Sequence, residues 1–188
     1  MIGPQQTTRA GLIRKVAPSL IVKTYQSHVV LETLQNGQNY YARRNLGFDA
    51  AYQGLIHLLG LQHCVSPIFG YLKGHKGCTD GKISSSVLLT LNVPDECVWL
   101  TEYNVWADYM YCVMHYTRPH NYTHVIPNEE YSQRRFDALQ KNLKEQRSPS
   151  HYEIPQAVME SIKPEWLISA SSKPLSPLHR FVHQLFNR

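Results

Sequence analysis

Apolar residues in this chain come in short runs whose period changes along the sequence. SLIVKTY at 19–25 is rich in β-branched and aromatic residues and predicts a strand. HVVLETL at 28–34 suits a turn or two of helix, closed by the turn dipeptide Asn36-Gly37. Residues 40–44 follow as an extended or loop segment. From Asn45 to Leu59, residues Ala51, Leu55, Leu58 and Leu59 recur on one helical face; Asn45 can cap the start and Gly60 falls just past the end. PIFGY, entered through Pro67, predicts a strand, and the Gly, Lys and Ser of 73–86 predict a loop. VLLTLNV at 87–93 is the clearest strand, and its nearly continuous apolar start predicts burial on both faces. Pro94 stops it. A second short strand then leads to Glu102, which stands among Trp99, Tyr103 and Trp106.

Beyond Glu102 the period becomes helical. Asn104 can cap a helix whose stripe is Val105, Tyr109, Cys112, Val113 and Tyr116. After a loop at 117–127, Asn128 caps a third helix, with Glu129 and Glu130 in its first turn and Lys141 and Lys144 near its end, complementing the helix dipole. Residues 147–155 form a break, and Pro155 starts a short helix bearing Val158 and Ile162. Ser176-Pro177 opens a last amphipathic helix carrying Leu178, Phe181, Val182, Leu185 and Phe186. Short strands with segregated helices predict an α+β fold, with small mixed or antiparallel sheets flanked by helices. Residues 1–18 read as a flexible arm and 19–188 as a single globular domain.

Composition narrows the class. The chain has 188 residues, 43% hydrophobic and 18% charged, enough for one well-buried core. Its net charge of +5 is compatible with an anionic ligand or nucleic acid. Twelve Tyr and 10 His supply polar aromatic surface for stacking or for a hydrogen-bonded site. The cysteines Cys64, Cys78, Cys97 and Cys112 form no C-x-x-C pair and read as free thiols in a reducing cytosol. No signal peptide is evident. The uncharged stretch 50–72 is broken by Gln53, His57, Gln62, His63 and Pro67, so it reads as helix, loop and strand rather than a membrane span. A cytoplasmic protein follows.

Each candidate chemistry has a plainer counterpart. His115, His120 and His124, or His63, Cys64, His75 and Cys78, match no tight zinc spacing, so no metal site is assigned. Nucleophile-elbow, P-loop and Rossmann patterns are all missing. Lys73, Lys76 and Lys82 among the glycines of the 73–86 loop lead into no helix and read as solvated. Arg43-Arg44, Arg134-Arg135 and the basic run 141–147, with nearby tyrosines, could meet nucleic acid or simply solvent. Glu102 could orient a ribose hydroxyl or stabilise a cation, or could merely mark a helix entry beside Asn104.

VKTYQS, the helix AAYQGLIHLL, PIFGY, VLLTLNVPDECVWLTEYNVW and IKPEW, in this order over about residues 20–168, resemble an uncharacterised bacterial domain family. That family carries W-T-I-Q, P-I-W-A-W, V-L-L-E-L-x-V-P-D-E-x-V-L-L-S-D-F-x-x-W and I-x-x-S-W elements. Here Tyr25 stands for its Trp, Phe69 and Tyr71 for two more, and Glu102-Tyr103 for its Asp-Phe. In architecture the chain also resembles small ADP-ribosyltransferases. The parallel is a first strand ending in an aromatic-polar pair (Tyr25-Gln26), then a tyrosine segment, a helix, and a strand ending near a carboxylate. In such proteins NAD lies in a cleft between two small sheets, and negative charge beside the ribose favours breakage of the glycosidic bond toward an oxocarbenium ion. The resemblance implies NAD as cofactor, Gln26 as the ribose anchor and Tyr40 or Tyr41 as the ring stacked on nicotinamide. It also implies Glu102 as the catalytic carboxylate and Arg43 or Arg44 at the pyrophosphate. The E-x-E or Q-x-E ending typical of those enzymes is absent. The expected activity is ADP-ribosyl transfer to a macromolecular acceptor, protein or nucleic acid. The alternative is a non-enzymatic binding or inhibitor protein of the phage or mobile-element type, or a nucleic-acid-associated module.

Overall fold

The computed structural model describes residues 18–75, 86–117, 129–145 and 148–172. In chain order these contain β1 (Ser19–Gln26), α1 (His28–Gln35), α2 (Asp49–Leu59), β2 (Ile68–Leu72), β3 (Val87–Pro94), β4 (Trp99–Glu102), α3 (Tyr103–Thr117), α4 (Glu129–Lys144), β5 (Pro155–Met159) and β6 (Leu167–Ser172). The strands form one sheet in the order β4-β5-β2-β1-β3-β6. Every neighbouring pair in it is antiparallel. The fold is α+β.

Side chains alternate across a strand, so the register sorts the sheet into two faces. One face carries Val22, Ile68, Leu72, Leu89, Leu91, Leu100, Ala157 and Met159, and is closed by Val30 and Leu34 of α1 together with Ile162 and Trp166. The other carries Trp99, Phe69 and Val158, which pack under α2, α3 and α4 through Leu55, Trp106, Tyr109 and Leu143. Residues on this second face of β1, β3 and β6 lie outside that core.

Local chemistry explains the element ends. Gly60 terminates α2 with φ +70°, a left-handed conformation that glycine adopts without strain. Gly37 does the same behind α1 at φ +73°. Inside α2, Gly54 leaves room for the phenol of Tyr109, whose oxygen would lie only 2.0 Å from a Cβ at that position.

Several sequence expectations are corrected. Asn45 is not the cap of α2, which begins at Asp49 behind Phe48; instead its side chain accepts the Gly47 N–H at 3.1 Å and shapes the turn before the helix. Asn104 likewise lies inside α3 rather than at its cap. β3 is buried on one face only: Val87, Leu89, Leu91 and Val93 are buried, whereas Leu88 and Thr90 are partly covered and Asn92 is exposed. The expected helix at Pro155 is strand β5, all five residues of which are buried between β2 and β4. Pro155 is the first residue of that strand, where the missing N–H is tolerated. The arm at 1–17, the loop at 76–85, Asn128 and the last predicted helix at 178–186 lie outside the described residues.

Candidate functional site

β1 and β2 pair at Val22–Leu72 and Lys23–Tyr71. Past this point β1 continues to Gln26 against β3 alone. Where the ladder ends, Thr24 Oγ1 donates to the Phe69 carbonyl at 2.7 Å and accepts from Gln26 Nε2 at 2.8 Å. A side chain thus satisfies a backbone acceptor that would otherwise be stranded at the break. Gly70 allows the approach just before the split: a Cβ there would stand 2.6 Å from Val22 Cγ1 and 2.9 Å from the Lys23 carbonyl oxygen.

A cavity of ≈ 510 Å³ opens at this split. That volume falls within the roughly 300–1,000 Å³ of small-molecule sites. Its walls are strongly aromatic: Tyr25 and Tyr71 on the strands, Phe48 and Tyr52 around the start of α2, and Tyr103 and Trp106 on α3. Tyr25 and Tyr71 lie with ring centroids 6.5 Å apart. Behind them Trp106 stacks on the rings of Tyr52, Phe69 and Tyr109 at 5.3–6.1 Å, and Tyr52 lies tilted against Phe69 at 5.7 Å. Burial pushes the phenols of Tyr52 and Tyr109 up from their ordinary values, so both stay neutral donors at physiological pH.

Polar groups in the cavity are few. Gln156 is 4% exposed, and its Oε1 accepts from Thr101 Oγ1 at 3.3 Å. Lys23 and Gln26 add an ammonium and a second amide. Among the described residues no carboxylate lines the cavity.

Of the residues singled out in the sequence, Tyr25 and Gln26 stand in this cavity. Glu102 does not. It pairs with Pro155 in the β4–β5 register while Thr101 pairs with Gln156, and alternation turns it to the face opposite Gln156. Its carboxylate accepts the Glu153 N–H at 2.8 Å and the Ile154 N–H at 3.1 Å, fixing the entry to β5. Tyr40 bridges to Ile162 by backbone hydrogen bonds and packs against the α1-side core. Burial raises its phenol, with Arg43 opposing. Tyr41 is 48% exposed and Arg43 is exposed, although Ala42 between them reaches the cavity wall. Arg44 is held bidentate by Asp49 at 2.8 and 2.7 Å. That pair holds the Asp49 carboxyl below its ordinary value. A carboxyl lowered on folding stabilises above its unfolded pKa, so this contribution is present at neutral pH and fades as pH falls through the depressed value.

Among the described residues no group of three or more His, Cys, Asp or Glu could hold a metal ion. His115, His120, His124 and Cys78 lie outside what is described at side-chain level. Burial, with Glu160 adding, pushes the Cys64 thiol up to about 11. At pH 8 Cys64 is therefore expected to alkylate with iodoacetamide at least tenfold more slowly than free cysteine, read by peptide mass spectrometry. On the basic surface of α4, Arg134 and Arg135 are exposed, and Arg135 pairs with Asp108 of α3. No helix among the described residues is long and apolar enough to cross a membrane.

Gln156, Lys23 and Tyr71 carry no assignment from sequence. Lys23 and Tyr71 sit in strands that were predicted, and the period-2 pattern of each strand was the available signal. Gln156 gave none, because its segment read as helix. No family model, curated protein or solved structure matches this chain.

Proposed function

We propose that the split-sheet cavity binds NAD and that the chain is an ADP-ribosyltransferase-like protein acting on a macromolecular target. The observation that carries this reading is the opening between β1 and β2, a hollow of nucleotide scale with Tyr25 and Gln26 on its rim and aromatic rings on its walls. Flat rings of low polarity suit the stacking of a nicotinamide, and the flanking amides and ammonium supply donors for the rest of the ligand. The basic net charge suits an anionic ligand or acceptor.

A second reading is favoured by one feature, the lack of a carboxylate among the described lining residues. Transfer requires negative charge beside the developing oxocarbenium ion. A site without it binds the dinucleotide and leaves the glycosidic bond intact, as in a non-enzymatic binding or inhibitor protein. One pair of measurements separates the readings. A ligand that binds only the folded state stabilises it by about 2.7 kcal/mol at 100 times its Kd. NAD at millimolar concentration is accordingly expected to raise Tm by several degrees; an unmoved Tm would sink NAD binding and favour a binding or inhibitor protein with another partner. Nicotinamide release over hours at the same NAD concentration supports transfer; a raised Tm without release supports binding alone. Glu102→Gln is expected to leave the NAD-induced shift unchanged, since its carboxylate faces away from the hollow.

A further inference from the structure

One row of register partners runs across the sheet beneath the cavity. Gln156 of β5 is opposite Tyr71 of β2, and Tyr71 is opposite Lys23 of β1. All three line the cavity. Directly paired residues share a face, and neighbouring strands lie about 4.8 Å apart, so Gln156 and Lys23 stand roughly 10 Å apart with a phenol ring between them.

The two ends of this row are chemically different, and each keeps a polar group that no hydrogen bond or ion pair among the described residues uses. Gln156 is 4% exposed, and its single side-chain hydrogen bond, from Thr101, occupies Oε1. Its Nε2 has no partner among the described residues. A buried amide donor without an acceptor is unfavourable, and native structures rarely retain one unless something outside the chain completes it. Lys23, at the other end, has no ion pair among the described residues. The row therefore presents a dry neutral donor, a flat ring and a cation in line.

Resting on the reading of the cavity as an NAD site, we infer that Gln156 is the specificity-determining residue that takes the carboxamide oxygen of nicotinamide, and that Lys23 takes the pyrophosphate. The assignment of ends follows from solvation. Phosphate oxygens are charged and strongly hydrated, so they belong with the partly exposed ammonium. A neutral carbonyl on an aromatic ring loses little on entering the buried end and satisfies the stranded amide there. Tyr71, paired with Tyr25, supplies the surface between the two.

The experiment compares NAD with ADP-ribose, which lacks the nicotinamide, by calorimetric titration of the full chain. The first variant is Gln156→Leu with Thr101→Val, which removes both members of the buried hydrogen bond together and keeps the site apolar and filled. It is expected to bind NAD at least tenfold more weakly, with ADP-ribose affinity changed by less than twofold. If this double variant fails to fold, Gln156→Glu tests the same point, because it keeps the shape and replaces the donor by an acceptor. Lys23→Met is expected to weaken both ligands and to flatten the salt dependence of binding. Unchanged NAD affinity in the Gln156 variants, or an equal loss for both ligands, overturns the inference while leaving NAD binding standing. Failure of the wild-type chain to bind either ligand at millimolar concentration overturns the NAD reading and the inference with it.

Discussion

Trp106→Ala is expected to lower the stability of the folded chain by about 3–5 kcal/mol, the range for large aromatic truncations in cores. Trp106 is 5% exposed and lies in the core that α2, α3 and α4 form on the sheet. Its ring stacks on Tyr52 of α2 at 6.1 Å, on Phe69 of β2 at 5.3 Å and on Tyr109 of its own helix at 5.8 Å. Deleting the ring removes three aromatic contacts and leaves a void that joins the cavity beside it, because Trp106 is part of the cavity wall. Two measurements check this. Chemical denaturation should show the stability loss, and NAD titration should show weakened binding in conditions where the variant is still folded. Trp106→Phe, which retains a stacking ring, should recover more than half of the stability. Equal losses in both variants would mean that a smaller ring cannot replace the stacked contacts of the indole.

Gly54→Ala is expected to destabilise by about 3 kcal/mol, the upper part of the usual range for overpacking. An added Cβ would stand 2.0 Å from the Tyr109 hydroxyl oxygen, and Tyr109 is only 2% exposed and flanked by Trp106 and Phe136. The phenol has no room to retreat. Tyr109→Phe removes the atom in conflict, so the double variant should regain at least 1 kcal/mol over Gly54→Ala alone in a double-mutant cycle, the sign expected for residues in direct contact. The next atom, Tyr109 Cζ, would stand 3.2 Å from the new methyl, so the recovery should be incomplete. Additive effects in this cycle would show that α2 and α3 separate instead, and denaturation midpoints suffice to tell.

The parts of the fold that were legible in the sequence are those fixed by local chemistry. SLIVKTY and VLLTLNV carry β-branched density and fold as β1 and β3; Gly60 and Gly37 stand where left-handed backbone is needed. β5 was not legible. Its five residues begin with proline and take strand form because β2 and β4 flank them, and those partners lie far away in the chain. Tertiary context decided that segment, as it often does for short apolar runs. The same holds for the site. Tyr25-Gln26 was visible as an aromatic-polar ending of the first strand, and both residues reach the cavity. Gln156, Tyr71 and Lys23 come from three strands and meet only through the register, so no spacing along the chain could announce them. Glu102 misled for a related reason. Its aromatic neighbours suggested a shared pocket, but Leu100 and Glu102 have the same parity on β4, and Leu100 belongs to the α1-side core. Parity therefore sends Glu102 away from Thr101 and the cavity.

The short pairing of β1 with β2 also sets how the molecule should come apart. β3 grips β1 along its whole length and β6 adds to β3, while β2, β5 and β4 form a second three-strand block. The seam joining the blocks is two residue pairs, the Lys73 N–H to Ile21 carbonyl bond beside them, and the Thr24 hydrogen bond. Under native conditions amide protons along that seam should exchange with deuterium sooner than those in the middle of either block, which makes the nucleotide-sized opening also the line of least mechanical resistance.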